Sequence, residues 1–290
     1  MSLKRDRCLD CDAPVTGSFC SQCGQRNADY RVSFGEVLRD ALDGVFQIDS
    51  RIGRTVLPFL FRPGFLTREY NAGRRTRYSS PLRIYLLLSV LYFFALSFLP
   101  VNDKLRFGNP GDGKSGVQVE SSIAIDGSEN KRGGDRDPEV HIGWARLERH
   151  ITHQLNMLKH MAPAEARRRA QESFLSQASK GLFFLLPVFA LLLKLLYRKT
   201  GHFYIEHLTF SLHLHAFVLF MLLLCLLPRI GEHLGLITLL CYAHLLVALR
   251  SVYGQGWLRT FGKSLFLLLL YSFALLFGIV AMAIWTLIVI

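Results

Sequence analysis

Residues 264–288 read SLFLLLLYSFALLFGIVAMAIWTLI, a run without a single charged side chain. A helix needs about 20 consecutive apolar residues to cross the hydrocarbon core of a bilayer, because each residue adds only about 1.5 Å of length. Similar runs occupy residues 81–99, 181–197, 207–228 and 233–249. The sequence therefore predicts an all-α membrane protein, a helical transmembrane bundle of about five spans.

The composition agrees with this class. Hydrophobic residues make up 51% of the 290 residues, and the formal net charge is +12. A basic soluble protein would suggest nucleic acid as its partner. In a membrane protein, however, Lys and Arg gather in the cytoplasmic flanks and attract anionic lipid. We therefore expect the lipid bilayer and anionic lipid as partners, and we do not expect nucleic acid.

Residues 1–30 contain two cysteine pairs, CLDC at 8–11 and CSQC at 20–23. Each CxxC turn directs two sulfurs to one point, and two such turns complete a tetrahedral thiolate site for zinc. A disulfide framework would need an oxidising compartment. We predict a zinc-ribbon-like head with structural zinc, whose ligands are Cys8, Cys11, Cys20 and Cys23. Since the protein supplies all four ligands, the site is closed and structural rather than catalytic.

Residues 31–80 predict an amphipathic, basic helical region at the membrane interface. Apolar residues recur at helical spacing over 33–46, in a helix that either packs on the rest of the protein or lies on the membrane surface. Apolar patches then alternate with arginines, and residues 51–66 are a candidate re-entrant segment. Arginines at headgroup level contact lipid phosphates. The candidate contacts are Arg62, Arg68, Arg74, Arg75 and Arg77.

The remaining segments define the topology. Residues 100–180 form an extracytoplasmic loop in which the polar, Gly-rich and Asp-rich part 100–140 is expected to be disordered and 141–178 helical. Four further spans follow within 181–290. Lys and Arg concentrate before residue 81 and in the loops after the second and fourth spans. This pattern predicts a cytoplasmic N-terminus and, with five spans, an extracytoplasmic C-terminus.

The third span begins with the polar stretch HFYIEHLTFSLHLH at 202–215. Ionisable side chains at membrane depth are costly and by default raise a functional hypothesis, such as a proton relay, a metal site or a substrate path. Alternatively, neutral histidines hydrogen-bond between packed helices, and a glutamate lies at the interface. The candidate cluster comprises Glu206, His207, His213, His215 and, from the fourth span, His244.

The combination resembles an uncharacterised bacterial family of zinc-ribbon-headed, multi-pass membrane proteins, catalogued as a domain of unknown function. The resemblance rests on the ribbon from Cys8 to Gly24, the basic region from Asp49 to Pro81 and the polar residues of the third span. Within these parts the matching residues are Arg51, Thr55, Arg62-Pro63-Gly64, Arg68-Glu69-Tyr70, Gly73-Arg74-Arg75, Tyr78, Glu206-His207, Phe210, His213 and His215. The resemblance implies location in the inner (cytoplasmic) membrane and implies no activity.

Three functions remain open. The sequence lacks GxSxG, P-loop and HExxH motifs, which favours a non-enzymatic anchor, sensor or accessory protein whose head docks a cytoplasmic protein. The first alternative is a small proton- or solute-coupled permease that uses the membrane-embedded Glu and His residues, with a second copy of the chain as partner. The second alternative is an intramembrane enzyme that modifies lipid, with histidine and Glu206 as acid and base.

Overall fold

The computed structural model describes residues 6–27, 51–98, 181 and 183–289, with side chains of the last helix described as far as Met282. The chain divides into two units, residues 1–95 with 178–280 and residues 96–177 with 281–290, and almost all described residues belong to the first. Three predicted segments, the helix at 33–46, the loop at 100–140 and the helix at 141–178, lie outside the described residues.

Helices form nearly all of the regular structure in the described residues. The head contains two isolated β-bridges, and no strand occurs in the described part of the chain. A short 3-10 helix covers Arg198–Thr200. The α-helices are α1 Arg51–Phe61, α2 Phe65–Asn71, α3 Pro81–Phe98, α4 Phe183–Leu196, α5 Tyr204–Cys225, α6 Pro228–Gly231, α7 Leu234–Tyr253 and α8 Trp257–Val289.

Four of these helices, α3, α5, α7 and α8, are long and apolar enough to cross a membrane. The prediction of an all-α membrane protein is therefore confirmed. Within the predicted second span, 181–197, the structure describes residue 181 as helical and the apolar helix α4, which is shorter than these four helices. Its apolar residues are nonetheless placed among the other helices, since Leu186, Phe189, Ala190 and Leu193 are all buried.

Two helices extend beyond their predicted apolar runs into polar residues. The last helix begins at Trp257 rather than 264, and α7 continues to Tyr253 rather than 249. Hydropathy marks the part of a helix that contacts hydrocarbon, whereas the hydrogen-bonded backbone continues through polar residues such as Arg250 and Lys263. The polar turns of these helices therefore extend the bundle beyond its most apolar layer.

The fifth helix is the centre of the bundle. In the most apolar 18-residue windows, 61% of α5 is buried by protein, against 17% of α3, 17% of α7 and 6% of α8. Two buried clusters meet on it: one around Leu249 and Leu267 includes Phe210 and Leu214, and the other, around Tyr85, includes Leu208 and Leu212. The remaining helices surround α5, and much of α8 is exposed.

The described part of the predicted interfacial region begins with a pair of short helices packed on this bundle. The turn between α1 and α2 brings Gly64, in the left-handed conformation at φ 77°, against α7, where a Cβ would lie 2.9 Å from the carbonyl oxygen of Ala248. Glycine alone fits this close approach without strain. On α2, Leu66, Thr67 and Tyr70 are buried, so α2 is part of the packed structure.

Candidate functional site

The head consists of two copies of one turn, Cys8–Ala13 and Cys20–Gln25. In each copy, the N–H of the first cysteine donates to the carbonyl of the fifth residue after it, at 2.9 and 2.8 Å. The carbonyl of that cysteine accepts from the N–H of the fourth residue, at 2.9 Å in both copies. That fourth residue, Asp12 or Gly24, has a positive φ of 60° or 73°. Each turn directs its two sulfurs towards those of the other turn.

All four Sγ atoms lie within 4.8 Å of one another, and the Cys8–Cys23 and Cys11–Cys20 sulfurs are 3.5 Å apart. Zinc–sulfur bonds of about 2.3 Å in a tetrahedron separate the sulfurs by about 3.8 Å. A disulfide would bring two sulfurs to about 2.0 Å, and all four cysteines are free thiols. The four side chains therefore fit the ligand set of one tetrahedral metal ion and could bind one.

The surroundings of the sulfurs favour thiolates unequally. The backbone N–H of Cys23 lowers the pKa of the Cys20 thiol to about 7. Burial, in contrast, raises the pKa of the Cys23 thiol. The thiolate is the metal ligand, and a bound cation stabilises the deprotonated form of every ligand together. The chemistry that this donor set supports is the binding of a soft or borderline metal ion.

The head is fastened to the loop after α2. The buried side chain of Gln25 donates to the Gly73 carbonyl at 2.7 Å and accepts from the Arg75 N–H at 3.3 Å. The Thr76 hydroxyl donates to the carboxylate of Asp10 at 2.6 Å. A residue from each cysteine turn therefore holds the loop that joins α2 to α3. This attachment could not be read from the sequence, because its partners lie 48 to 66 residues apart.

Leu9 tightens the same attachment. A Cβ at Gly73 would lie 2.4 Å from Cδ1 of Leu9, so the leucine fills the space that a side chain would occupy. This contact gives a physical reason for the glycine of the Gly73-Arg74-Arg75 motif. Part of the head surface is thus covered by the chain itself, whereas Phe19, just before the second turn, is 63% exposed.

The five candidate headgroup arginines have different environments. Arg62, Arg68 and Arg77 are exposed. Arg74 forms a bidentate pair with Glu69, at 2.5 and 2.6 Å, and this hydrogen-bonded cation lowers the pKa of the Glu69 carboxyl. Arg75 lies over the ring of Tyr70, with 4.2 Å between its guanidinium carbon and the ring centroid. The guanidinium carbon of Arg62 also lies 5.8 Å from the centroid of the Phe65 ring, so three of the five arginines make intramolecular contacts.

The histidines of α5 hydrogen-bond to three different helices. His207 Nδ1 lies 2.7 Å from the Tyr253 hydroxyl of α7, and His213 Nδ1 lies 3.0 Å from the Thr67 hydroxyl of α2. His215 Nε2 lies 2.7 Å from the Tyr271 hydroxyl of α8. The second ring nitrogen of His215 contacts its own helix. In contrast, Nε2 of His207 and of His213 is buried without a hydrogen-bond partner among the described residues.

The remaining members of the predicted cluster are not joined to these histidines by hydrogen bonds. Glu206 accepts from the Phe203 N–H at 2.7 Å and so caps the start of its own helix, as acidic residues in a first turn do. His244 stacks on Phe217 with ring centroids 3.6 Å apart. Within the described residues, the four cysteines are the only group of three or more His, Cys, Asp or Glu residues that could hold a metal ion.

Sequence reasoning missed the partners of the histidines, namely Thr67, Tyr253 and Tyr271. Their hydroxyls lie 146, 46 and 56 residues from the histidines that they contact. The signal available was weak, because a hydroxyl in an apolar stretch usually bonds its own helix. Ser211 shows a further case, since its hydroxyl donates to the Leu186 carbonyl of α4 at 3.0 Å. The polar residues of α5 thus contact α2, α4, α7 and α8.

Part of the chain matches a known protein family. Residues 49–93 match a family model described as protein of unknown function (DUF3667). The matched region contains α1, α2, the loop held by the head and most of α3. The resemblance to an uncharacterised family is confirmed over this region. No curated protein and no solved structure matches the chain. The findings fit an uncharacterised membrane protein and indicate no specific activity.

Proposed function

We propose that the chain is a non-enzymatic, membrane-anchored accessory protein in which a zinc-bound head fastens a basic interfacial segment to the helix bundle. The observation that carries the proposal is a closed four-cysteine site in a head whose Gln25 donates a hydrogen bond to the loop 73–76 and whose Asp10 accepts one from it. A closed site stabilises a fold rather than activating a substrate. Zinc is the metal that small four-cysteine domains of this spacing take.

The placement of basic residues supports an orientation in which the N-terminal head is cytoplasmic. The end of the bundle at which α5 begins carries Lys194, Arg198, Lys199 and Arg250, and the loop held by the head lies there too, through the contact of Asn71 with the Glu206 carbonyl. Basic residues gather on the cytoplasmic face of an inner membrane. The exposed Arg62, Arg68 and Arg77 then contact anionic headgroups, and the exposed Phe19 is available to a cytoplasmic protein.

The first experiment is the metal content of the detergent-purified full chain. We expect one zinc per chain in the wild type and none in a Cys8→Ser, Cys11→Ser variant. The matched control is Cys225→Ser, Cys241→Ser, which changes two cysteines outside the head and should retain the metal. Metal that persists in the head variant would contradict the proposal and make the histidines ligands.

A second readout tests whether the metal fastens the loop. Chelation should speed tryptic cleavage after Arg74 and Arg75, because metal loss unfolds small ribbons of this type and releases the contacts of Gln25. Cleavage after Arg198, in the 3-10 helix before α5, serves as the internal control and should keep its rate. Equal rates at Arg74 and Arg75 with and without metal would show that the head does not hold the loop.

A permease remains a second candidate because of one observation, the buried and unpartnered Nε2 atoms of His207 and His213. Such groups within a membrane bundle can relay protons. The test is proton flux into liposomes that contain a pH-sensitive dye. His207→Gln, His213→Gln should abolish a flux that the exposed His233→Gln control retains. A wild-type protein without flux above empty liposomes would remove this candidate.

A further inference from the structure

Four helices bring aromatic and basic side chains together around Tyr253, at the end of α7. The Tyr253 ring stacks on Tyr197, with centroids 3.9 Å apart and an interplanar angle of 17°. The His207 ring lies nearly parallel to Tyr253 at 5.5 Å. The ammonium of Lys263, from α8, is 4.2 Å from the centroid of Tyr197. Lys194, in the last turns of α4, donates to the carbonyl of His202, whose ring is 5.4 Å from that of Tyr253.

Two buried polar atoms of this group have no partner in the described part of the chain. They are the Tyr197 hydroxyl and His207 Nε2, on residues that are 1% and 0% exposed. When the Tyr253 hydroxyl donates to His207 Nδ1, Nε2 carries the ring proton and is a donor. Buried donors without acceptors are uncommon in native proteins, and each requires an explanation. A ligand that presents acceptor oxygens would satisfy both donors.

The charges of the group point to the same kind of ligand. Lys194 and Lys263 are half-buried, and the ammonium of each donates to a main-chain carbonyl, Lys263 to that of Leu196 at 3.2 Å. Among the described residues, no carboxylate lies within ion-pair distance of either lysine. The carboxylate of Glu206 is engaged at the start of its own helix. Each ammonium has three donor hydrogens, so positive charge and donors are in excess.

We propose that Lys194, Tyr197, His207 and Lys263, arranged around Tyr253, bind a phosphate group. Phosphate suits them better than carboxylate. The two ammonium groups and two neutral donors come from α4, the residue that follows it, α5 and α8, and together they require more acceptor oxygens than one carboxylate carries. The group is either the headgroup of an anionic lipid or part of a soluble compound, and both present the same oxygens. The inference stands apart from the metal site of the head.

The test uses the full chain in nanodiscs of phosphatidylcholine, with thermal unfolding as the readout. One arm titrates inorganic phosphate at constant ionic strength set with sodium chloride, and the other exchanges part of the lipid for phosphatidylglycerol. A ligand that binds only the folded state raises Tm in a saturable way. A rise in the first arm identifies a soluble phosphate compound, and a rise in the second alone identifies a lipid headgroup.

Three variants decide the assignment. Lys194→Gln and Lys263→Gln should each weaken the apparent affinity by about tenfold or more, because a charged hydrogen bond is lost. Tyr197→Phe keeps the ring stack and should weaken binding several-fold, so it stays informative if a lysine variant fails to fold. Lys199→Gln, at an exposed lysine nearby, is the control and should bind as the wild type does. No rise in Tm in either arm, or equal affinity in all variants, would overturn the proposal.

Discussion

The helices α5 and α8 are both strongly apolar, but α5 is surrounded by protein and α8 is largely exposed. Both are apolar enough to span a membrane, yet 61% of the window in α5 is buried by protein against 6% in α8. The difference follows from polar side chains. Three histidines and Ser211 of α5 hydrogen-bond to surrounding helices or to α5 itself. A polar group in hydrocarbon must find its partner within the protein, so the polar residues identify the central helix.

Hydrogen bonding to the polar residues of α5 also explains the position of α2. Its residue Thr67 reaches His213, and Gly64 just before it closes on α7. The basic segment is therefore bound to the central helix, and the head is bound to the segment through Gln25. Packed surfaces around α5 and open surfaces elsewhere should respond differently to matched substitutions, and four comparisons test that difference in order of expected effect.

The largest effect is expected from truncating a buried aromatic side chain of α5. Phe210 is 1% exposed, whereas Phe273 of α8 is 63% exposed. Phe210→Ala should lower the free energy of unfolding by about 3 kcal/mol, because the removed ring leaves a cavity among packed helices. Phe273→Ala leaves a gap that lipid fills and should change it by less than about 1 kcal/mol. Unfolding in bicelles measures both, and similar losses would show that α5 is not the central helix.

A smaller loss is expected at the turn between α1 and α2. Gly64→Ala places a Cβ 2.9 Å from the Ala248 carbonyl oxygen on a backbone with positive φ, which should cost about 1–3 kcal/mol. Gly53, within α1, has no atom within 4 Å of its Cβ position. Gly53→Ala should therefore stabilise by about 0.5–1 kcal/mol through helix propensity. Opposite signs in the same unfolding assay are expected, and a neutral Gly64→Ala would show that the turn does not close on α7.

Removal of the hydrogen bond between α2 and α5 should have an intermediate cost. Thr67→Val leaves Nδ1 of the buried His213 without its hydroxyl partner, a loss of about 1–2 kcal/mol. Thr238 of α7 bonds only the Leu234 carbonyl of its own helix in an exposed position. Thr238→Val should change stability by less than about 0.5 kcal/mol. Equal effects of the two variants would mean that the contact between Thr67 and His213 does not stabilise the folded protein.

The smallest effect concerns pH and the pair of Glu69 and Arg74. The pKa of Glu69 is lower in the folded protein because Arg74 hydrogen-bonds to it, so the folded state binds fewer protons than the unfolded state near that pKa. The stabilisation is present above the unfolded pKa and is lost as the pH falls through the folded pKa. Its size should be under about 1 kcal/mol, because Arg74 is partly exposed.

The matched variant for this pair is Glu69→Gln. Stability measured from neutral pH down to below the ordinary glutamate pKa of 4.5 should fall less steeply in the variant than in the wild type. Parallel pH profiles for the two proteins would show that the ion pair does not contribute.

Much of the architecture was predictable from the sequence because it depends on local properties. A run such as 264–288 must be helical in a bilayer whatever surrounds it. The spacing of the cysteines, two residues within each pair, brings their sulfurs together within one turn. Individual boundaries are less well determined by local sequence, since α8 begins at Trp257 and α5 ends at Cys225.

The amino-acid sequence by itself determined the membrane-spanning helices and the four-cysteine head, because hydrophobicity and ligand spacing act over a few consecutive residues. Only the tertiary structure decided that α5 is central, that Glu206 caps its helix and that Gln25 holds Gly73. It alone also brought Lys194 and Lys263 to the rings around Tyr253. These contacts join residues far apart in the chain, and no local pattern specifies which helices pack side by side.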